Sequence, residues 1–488
     1  MSVDTKHRDY NANAQAWQRC RDVVAGEDAV KAAGPLYLPR LSGQTPTQYE
    51  AYKARAVYFG ATARAIEGLT GMLMATPPNL EAPEKAKADA RDVTLNGEPF
   101  ASVVSTIASE LLTVGRVGAL LDFSTKSDRP YWVPFLAEEI INWDVSFRDG
   151  DAILTMLVLC ETRQERQGFM VESVKRYRVL ELVPRGDTFE CQVTIWNKNA
   201  QTNDWLAEPP VVPTRRGVPL PMIPFVCFTP KGIGMKIEKS PMLDVVSVNL
   251  SHYRSSADLE HGRHFTGLPT PVVTGSKITT KLLIGSAAAW VLPEQGADAK
   301  YLEFTGQGLA TLREAMKDKE ELMQVLGARL LESQKAGVEA YGTVKLRHSG
   351  DTSVLQNIAN AINLGMTTMW QWHAWWAGTT EDATDKTITA GVSTVLSPGP
   401  DVNLNDLLLA AQAEKVSYMT YYANLERAGL TRPGVTAEQE REQIIAEGGA
   451  DPLGKPLPEP KPVVAPPVVD PDADPDADPD ADPDGDGE

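Results

Sequence analysis

Residues 241–275 read PMLDVVSVNLSHYRSSADLEHGRHFTGLPTPVVTG. Met242, Val246, Leu250, Tyr253 and Ala257 recur four or three apart, so one side of a helix over 241–262 is apolar, and Gly262 marks its expected end. The prolines and glycines from Pro269 to Gly306 then define a compact insert, with strands expected at PVVTG (271–275) and AAAWVLP (287–293). A second helical stripe follows directly, through Leu309, Leu312, Met316, Met323, Leu326 and Leu330, broken only by Lys319. The order of elements is helix, β-rich insert, helix.

Upstream, Thr45-Pro46-Thr47-Gln48 is a capping box with proline at the first helical position. It predicts a single helix through YEAYKARAVYFGATARAIEGLTGML (49–73), stopping before Pro77-Pro78. Tyr49, Tyr52, Val57, Ala63 and Ile66 form its apolar face, and Gly60, Gly68 and Gly71 point to close packing against a neighbour. A further helix is expected over Phe100 to Val114, ending at Gly115 before a strand from Val117 to Phe123. The runs 152–160, 176–183 and 189–196 have the branched or alternating character of strands, and the proline-rich 209–224 reads as a connection. Residues 1–238 are thus expected to form one mixed α+β region.

Downstream, SQKAGVEAYG (333–342) reads as an exposed loop. Val354, Leu355, Ile358, Ile362, Met366 and Met369 give the next long helix a buried stripe. WQWHAWW (370–376) adds four tryptophans that demand a core or an interface. Helices are expected over 405–428 and 436–447, the latter opening with the capping box Thr436–Gln439. From 448 onward, prolines and then an Asp-Pro-Asp-Ala repeat predict an extended, disordered tail.

The formal charge of −18 is concentrated in that tail, where nine Asp and one Glu lie between Asp470 and Glu488. The rest of the chain is only mildly acidic. A protein that grips nucleic acid tightly needs a dense basic face, so any DNA contact is expected to be weak or sliding. The candidates for it are Gln334 and Lys335 in the 333–342 loop and Lys345 and Arg347 just after it. Cys20, Cys160, Cys191 and Cys227 are scattered, without a CxxC pair, and read as free thiols in a reducing compartment. No apolar run reaches membrane-spanning length, and MSVDTKHRDYNANAQAW at the start has no secretory apolar core.

Catalytic signatures are missing from the sequence. There is no GxxxxGK[ST] loop, so ATP hydrolysis is not assigned to this chain, and Gly232-Ile233-Gly234 lacks the third glycine of a dinucleotide fingerprint. GxSxG and HExxH do not occur. His252, His261 and His264, with Asp258 and Glu260, form the one histidine cluster. Asp258, His261 and His264 could serve a metal-dependent hydrolase or nuclease, but the expected break at Gly262 and the opposing Arg254 and Arg263 favour a polar helix surface. DADPDGDGE resembles a calcium loop, yet prolines interrupt its alternation and no helix flanks it. No catalytic residue, metal ligand or cofactor is assigned.

Four stretches carry a resemblance to the portal proteins of tailed bacteriophages. They are YLPRLSGQTPTQYEAYKARAVYFG (37–60), GRVGALLDF (115–123) with RPY (129–131) and INW (141–143), residues 241–275, and WVLPEQGADAKYLEFTGQGL (290–309). NLSHYRSSADLEH and PTPVVTG are the most specific, and the resemblance spans roughly residues 35–430. It implies a homo-oligomeric ring, usually a dodecamer, at one capsid vertex of the virion, assembled in the host cytoplasm. The ring would be a conduit for double-stranded DNA in packaging and ejection. Its partners would be the terminase motor, a tail adaptor, and capsid and scaffold proteins, with no membrane involved. The implied α+β, portal-like parts are a wing (1–238), stem helices (239–263 and 309–332), a clip (264–308), a tunnel loop (333–342), a long helix and helical crown (343–447), and the acidic tail (448–488). Another head–tail adaptor is disfavoured by the length and the helix, insert, helix order.

Overall fold

The computed structural model describes residues 2–148, 150–186, 188–199, 202–267, 270–275, 295–302, 307–328, 330, 353–394, 404–413, 415–427, 431 and 436–447. With 45% of it helical and 27% in strands, the chain is α+β. It divides into two units, Met1–Leu396 and Ser397–Glu488.

The first unit opens with two helices, α1 (Arg8–Ala25) and α2 (Glu27–Ala32). Then comes α3 (Pro46–Arg55), started by the expected capping box: Thr45 Oγ1 accepts from the Gln48 amide at 3.3 Å, and Gln48 Oε1 accepts from the Thr45 amide at 2.9 Å. The single long helix expected from this box is in fact two, because the chain leaves helical geometry at Ala56 and re-enters it in α4 (Ala61–Leu73). Tertiary bonds hold the break open: the Val57 amide donates to Ser256 Oγ at 3.0 Å, and the Phe59 carbonyl accepts from Asn249 Nδ2 at 2.7 Å. Tyr49, Tyr52 and Ile66 are buried as expected, but Val57 stands on the turn and is 56% exposed.

A short strand β1 (Asn79–Glu81) and α5 (Glu84–Asp89) lead to α6 (Phe100–Thr113). Its face of Val103, Val104, Ile107 and Leu111 is fully buried, and Gly115, at φ +77°, turns the chain out of it. Strands follow in antiparallel order. β2 (Val117–Ser124) and β3 (Arg129–Leu136) form a hairpin. β4 (Ile140–Arg148), β5 (Asp151–Gln167), β6 (Met170–Arg185), β7 (Thr188–Lys198) and β8 (Trp205–Ala207) make a five-stranded meander in chain order. The proline-rich connection holds only the two-residue strands β9 (Thr214–Arg215) and β10 (Val218–Pro219). β11 (Phe225–Thr229) and β12 (Gly232–Ile233) return to β2, completing a sheet in the order β12-β11-β2-β3. Cys20, Cys191 and Cys227 are buried and Cys160 half-buried, all as free thiols, and burial pushes the Cys191 thiol up to about 12.

β5 and β6 outrun the apolar stretches that announced them. Their pairing continues from Met156↔Glu181 to Gln167↔Met170, through the polar sequence ETRQERQ, to a tip where Phe169 is 99% exposed. Cross-strand charge supports this arm: Arg178 donates to Glu161 Oε1 at 2.6 Å and to Asp122 Oδ2 of the other sheet at 2.8 Å.

Beyond Ser240 the chain forms α7 (Leu243–Gly267), a strand pair β13 (Thr270–Thr274) and β14 (Asp298–Leu302), and α8 (Gln307–Ala328). β13 matches the expected PVVTG strand, whereas AAAWVLP lies outside the described residues. β14 falls on DAKYL, where Asp, Ala and Lys are poor strand formers and nothing in the local sequence announces it. Then α9 (Val354–Trp376) runs against α6 and the four-stranded sheet, and β15 (Thr389–Gly391) pairs with β1. Trp370 meets Trp132 at 5.2 Å and Phe100 at 5.6 Å, so one aromatic cluster joins α9, β3 and α6. Of the four tryptophans, Trp370 and Trp376 are buried, while Trp372 and Trp375 pack partly buried at the edge of the core.

Beside that cluster His373, which is fully buried, meets Asp89 at 2.9 Å through Nε2, and its Nδ1 has no partner among the described residues. Burial lowers the His373 pKa despite the opposing carboxylate, since a second proton would sit on Nδ1 without an acceptor. The folded pKa thus lies below the unfolded value near 6.5, so the contribution of neutral His373 is full above about pH 6.5 and is lost as pH falls through that range. Urea midpoints should drop between pH 7.5 and 5.5 in the wild type and drop distinctly less in His373→Gln. An equal drop in both would show that other groups set the acid limit.

In the second unit, the helix expected over 405–428 is two helices, α10 (Leu404–Gln412) and α11 (Tyr418–Arg427). Ser417 accounts for the second start, its Oγ accepting from the Thr420 amide at 3.1 Å as a cap. α12 (Ala437–Ala446) opens at the Thr436–Gln439 capping box as read from the sequence. The tail from 448 onward lies outside the described residues, and among those described no helix is long and apolar enough to cross a membrane.

Candidate functional site

The helix, strand pair and helix of residues 243–328 form the unit with the most distinctive construction. α7 and α8 pack side by side, and three pairings fix their direction: Gly262 against Leu309, Ser255 against Lys319, and His252 against Glu320. As one number rises the other falls, so the helices are antiparallel and the β13–β14 pair closes one end.

Gly262 does not end α7, which continues five residues further. A Cβ at position 262 would lie 2.4 Å from Leu309 Cδ2, so the missing side chain makes room for α8. The glycine is there for helix contact, and the favourable surroundings of α8 offset its low helix propensity.

Lys319, the one interruption in the apolar stripe of α8, is the tie between the helices. Its ammonium donates to Ser251 O at 3.3 Å and to Ser255 Oγ at 2.5 Å. Burial, reinforced by Arg254, pulls the Lys319 pKa down. His252, almost fully buried, donates through Nε2 to Glu320 Oε1 at 3.1 Å.

The other face of α7 holds the N-terminal helices. Asp258 Oδ1 accepts from the Tyr52 hydroxyl at 2.6 Å, and burial together with that bond pushes the tyrosine pKa up. Arg55 donates to His264 Nε2 at 3.2 Å, and His261 stands edge-on to Tyr52 with centroids 5.2 Å apart. Burial and then the neighbouring Arg55 hold the His261 pKa down. Asp258 and His264 of the histidine cluster are therefore engaged by α3, and among the described residues no three His, Cys, Asp or Glu side chains converge as a metal-binding group.

Asn249 is the residue that the sequence reading missed. It is fully buried, its Oδ1 accepting from the Thr62 amide at 3.3 Å and the Thr62 hydroxyl at 2.8 Å while Nδ2 donates to Phe59 O. It thereby caps α4 from another helix, since Gly60 at the N-cap has no side chain to do so. The available signal was a lone amide beside Val246, Leu250 and Tyr253 on an otherwise apolar face. Gln334, Lys335, Lys345 and Arg347, the candidate DNA-facing residues, lie outside the described residues.

Residues 241–377 match a family model described as a domain of unknown function (DUF4055), which begins at the start of this helical unit and ends just past α9. No curated protein matches the chain. Among solved structures, the virion of a native gene transfer agent (GTA) particle is similar at 12% identity, over 86% of this chain and 99% of that one, with a TM-score of 0.32. The neck of an empty GTA particle computed with C6 symmetry gives 12% identity, 88% and 100% coverage, and 0.32. The neck of a native GTA particle computed with C12 symmetry gives 13%, 82% and 98%, and 0.32.

Proposed function

We propose that this chain is the portal subunit of a tailed-phage particle, assembling into a ring at one capsid vertex through which double-stranded DNA is packaged and ejected. The observation that carries the reading is the antiparallel pair α7 and α8, tied along its length and closed by a strand pair, in the stretch where the sequence most resembles portal proteins. In this reading 1–238 is the wing, 239–263 and 309–332 the stem, 264–308 the clip facing the terminase motor and later the tail adaptor, and 343–447 the long helix and crown. The 333–342 loop, with Gln334 and Lys335 and the nearby Lys345 and Arg347, faces DNA in the channel. Repeated around a ring, a few cations per chain become a belt. Their low density lets a polymer with about one charge per 1.7 Å pass without being held. The role is mechanical, with the energy of pumping supplied by another protein.

Purified protein should show closed rings with a central channel in negative-stain class averages, about twelve subunits around. A chain that stays monomeric across salt and concentration would overturn the reading.

A further inference from the structure

The outer part of the β5–β6 arm leaves both of its edges open. β4 covers β5 only as far as Leu159, and β7 covers β6 only from Arg176, so residues 162–167 of β5 and 170–175 of β6 pair with each other and with no third strand among the described residues. At about 3.3 Å per residue this ribbon is about 20 Å long. Residues 162–173 are all exposed, and two strands by themselves are marginal in water. Each open edge presents a row of backbone donors and acceptors that another extended strand can complete.

The side chains do not suit the ribbon on its own. Glu165 stands directly opposite Glu172, so like charges face each other, while Arg163, on the same face and one step nearer the sheet, is opposite Val174. None of the three makes an ion pair among the described residues. Arg163 lies along the β5 edge and Glu172 along the β6 edge.

We infer that the β6 edge of one copy of this chain pairs antiparallel with the β5 edge of the next, so that the arms join side by side into one continuous sheet. Ribbons that point the same way present these two edges in opposite chain directions, as antiparallel pairing requires. Level pairing would repeat the opposition of Glu165 and Glu172 between copies. A shift of two residues, which keeps each side-chain face intact, sets Thr162, Arg163, Gln164 and Glu165 of one copy opposite Ser173, Glu172, Val171 and Met170 of the other. Arg163 then meets Glu172, no like charges are opposed, and the exposed Phe169 comes beside Arg166. Among shifts that keep the faces aligned, this one alone sets opposite charges against each other. A β5 edge on a β6 edge is a head-to-tail contact, which closes into a ring and not a two-fold dimer, so this pairing rests on the ring reading above and names strands that join its subunits.

Cysteines in the full chain read the register. Adjacent antiparallel pairs alternate between wide and close sites, so at least one of two mixtures, Gln164→Cys protein with Val171→Cys protein or Glu165→Cys protein with Met170→Cys protein, should give disulfide-linked dimers that neither member gives alone. Rings in negative stain with no such dimer in either mixture would overturn the inference and leave the portal reading standing. So would a dimer from Gln164→Cys protein alone, which marks two-fold pairing through β5. Glu172→Arg should raise the concentration needed for assembly about tenfold, because Arg163 then faces a like charge, and adding Arg163→Glu should restore it. Assembly unchanged by Glu172→Arg, or a double variant that melts like wild type yet stays apart, also counts against the pairing. A wild-type chain that never assembles overturns both readings.

Discussion

Gly365→Val is expected to lower folding stability by about 3 kcal/mol or more, by overpacking a core that has no room to yield. A Cβ at position 365 would lie 2.1 Å from Phe228 Cε1 and 2.7 Å from Cδ1 and Cζ. Phe228 is itself fully buried in β11, so its ring has nowhere to swing. Gly365→Ala sets two effects against each other. Alanine favours the helix by about 1 kcal/mol, while overpacking costs about 1–3 kcal/mol. The net is still a loss, smaller than that of valine. Chemical denaturation followed by tryptophan fluorescence measures both, and Gly365→Ala combined with Phe228→Leu should recover much of the loss. If Gly365→Ala is as stable as wild type, α9 does not approach β11 this closely.

Asn249→Leu is expected to cost about 3 kcal/mol through a different mechanism. Leucine fills nearly the same volume, so the apolar contact survives and the loss is polar. Phe59 O and the Thr62 amide lose the partners they have at 2.7 and 3.3 Å, in a site where Asn249 and Thr62 are fully buried. Each buried backbone group left unsatisfied costs about 1–3 kcal/mol. Asn249→Asp keeps the acceptor for Thr62 but turns an oxygen toward the Phe59 carbonyl, so it should also lose stability. Hydrogen exchange at the Thr62 amide should speed up in Asn249→Leu before the rest of the chain is affected. Stability within about 0.5 kcal/mol of wild type, the range of ordinary surface changes, would mean that α4 starts without this cap.

Local signals placed many of the long elements, though none announced α1. The Thr45 and Thr436 boxes start α3 and α12, and the stripe through Leu355, Ile358, Ile362, Met366 and Met369 is buried along α9. The strands around 152–196 lie where alternation put them, although β5 and β6 run on into polar sequence. A hairpin arm held by its own ladder and by Arg178 needs no apolar face there. Of the site, the helix, insert, helix order was legible, and so was the fact that Lys319 breaks a stripe. What Lys319 does there was not legible, because Ser251 and Ser255 lie on the other helix. The histidine cluster read as a polar helix surface, but its partners were not legible: Tyr52 and Arg55 lie about 200 residues earlier and take Asp258 and His264.

By itself, then, the sequence determined the class of the fold, the order of its parts and most helix starts, since periodicity and capping act over a few residues and are written in them. Tertiary structure alone decided where a promising helix breaks, as at Ala56–Gly60, and where a glycine leaves it intact, as at Gly262. A break is set by whether distant groups, here Asn249 and Ser256, satisfy the backbone that helix formation would otherwise use. A glycine is tolerated when a neighbour such as Leu309 fills the space that it leaves. Both depend on residues far apart in sequence, and only the folded chain brings them together.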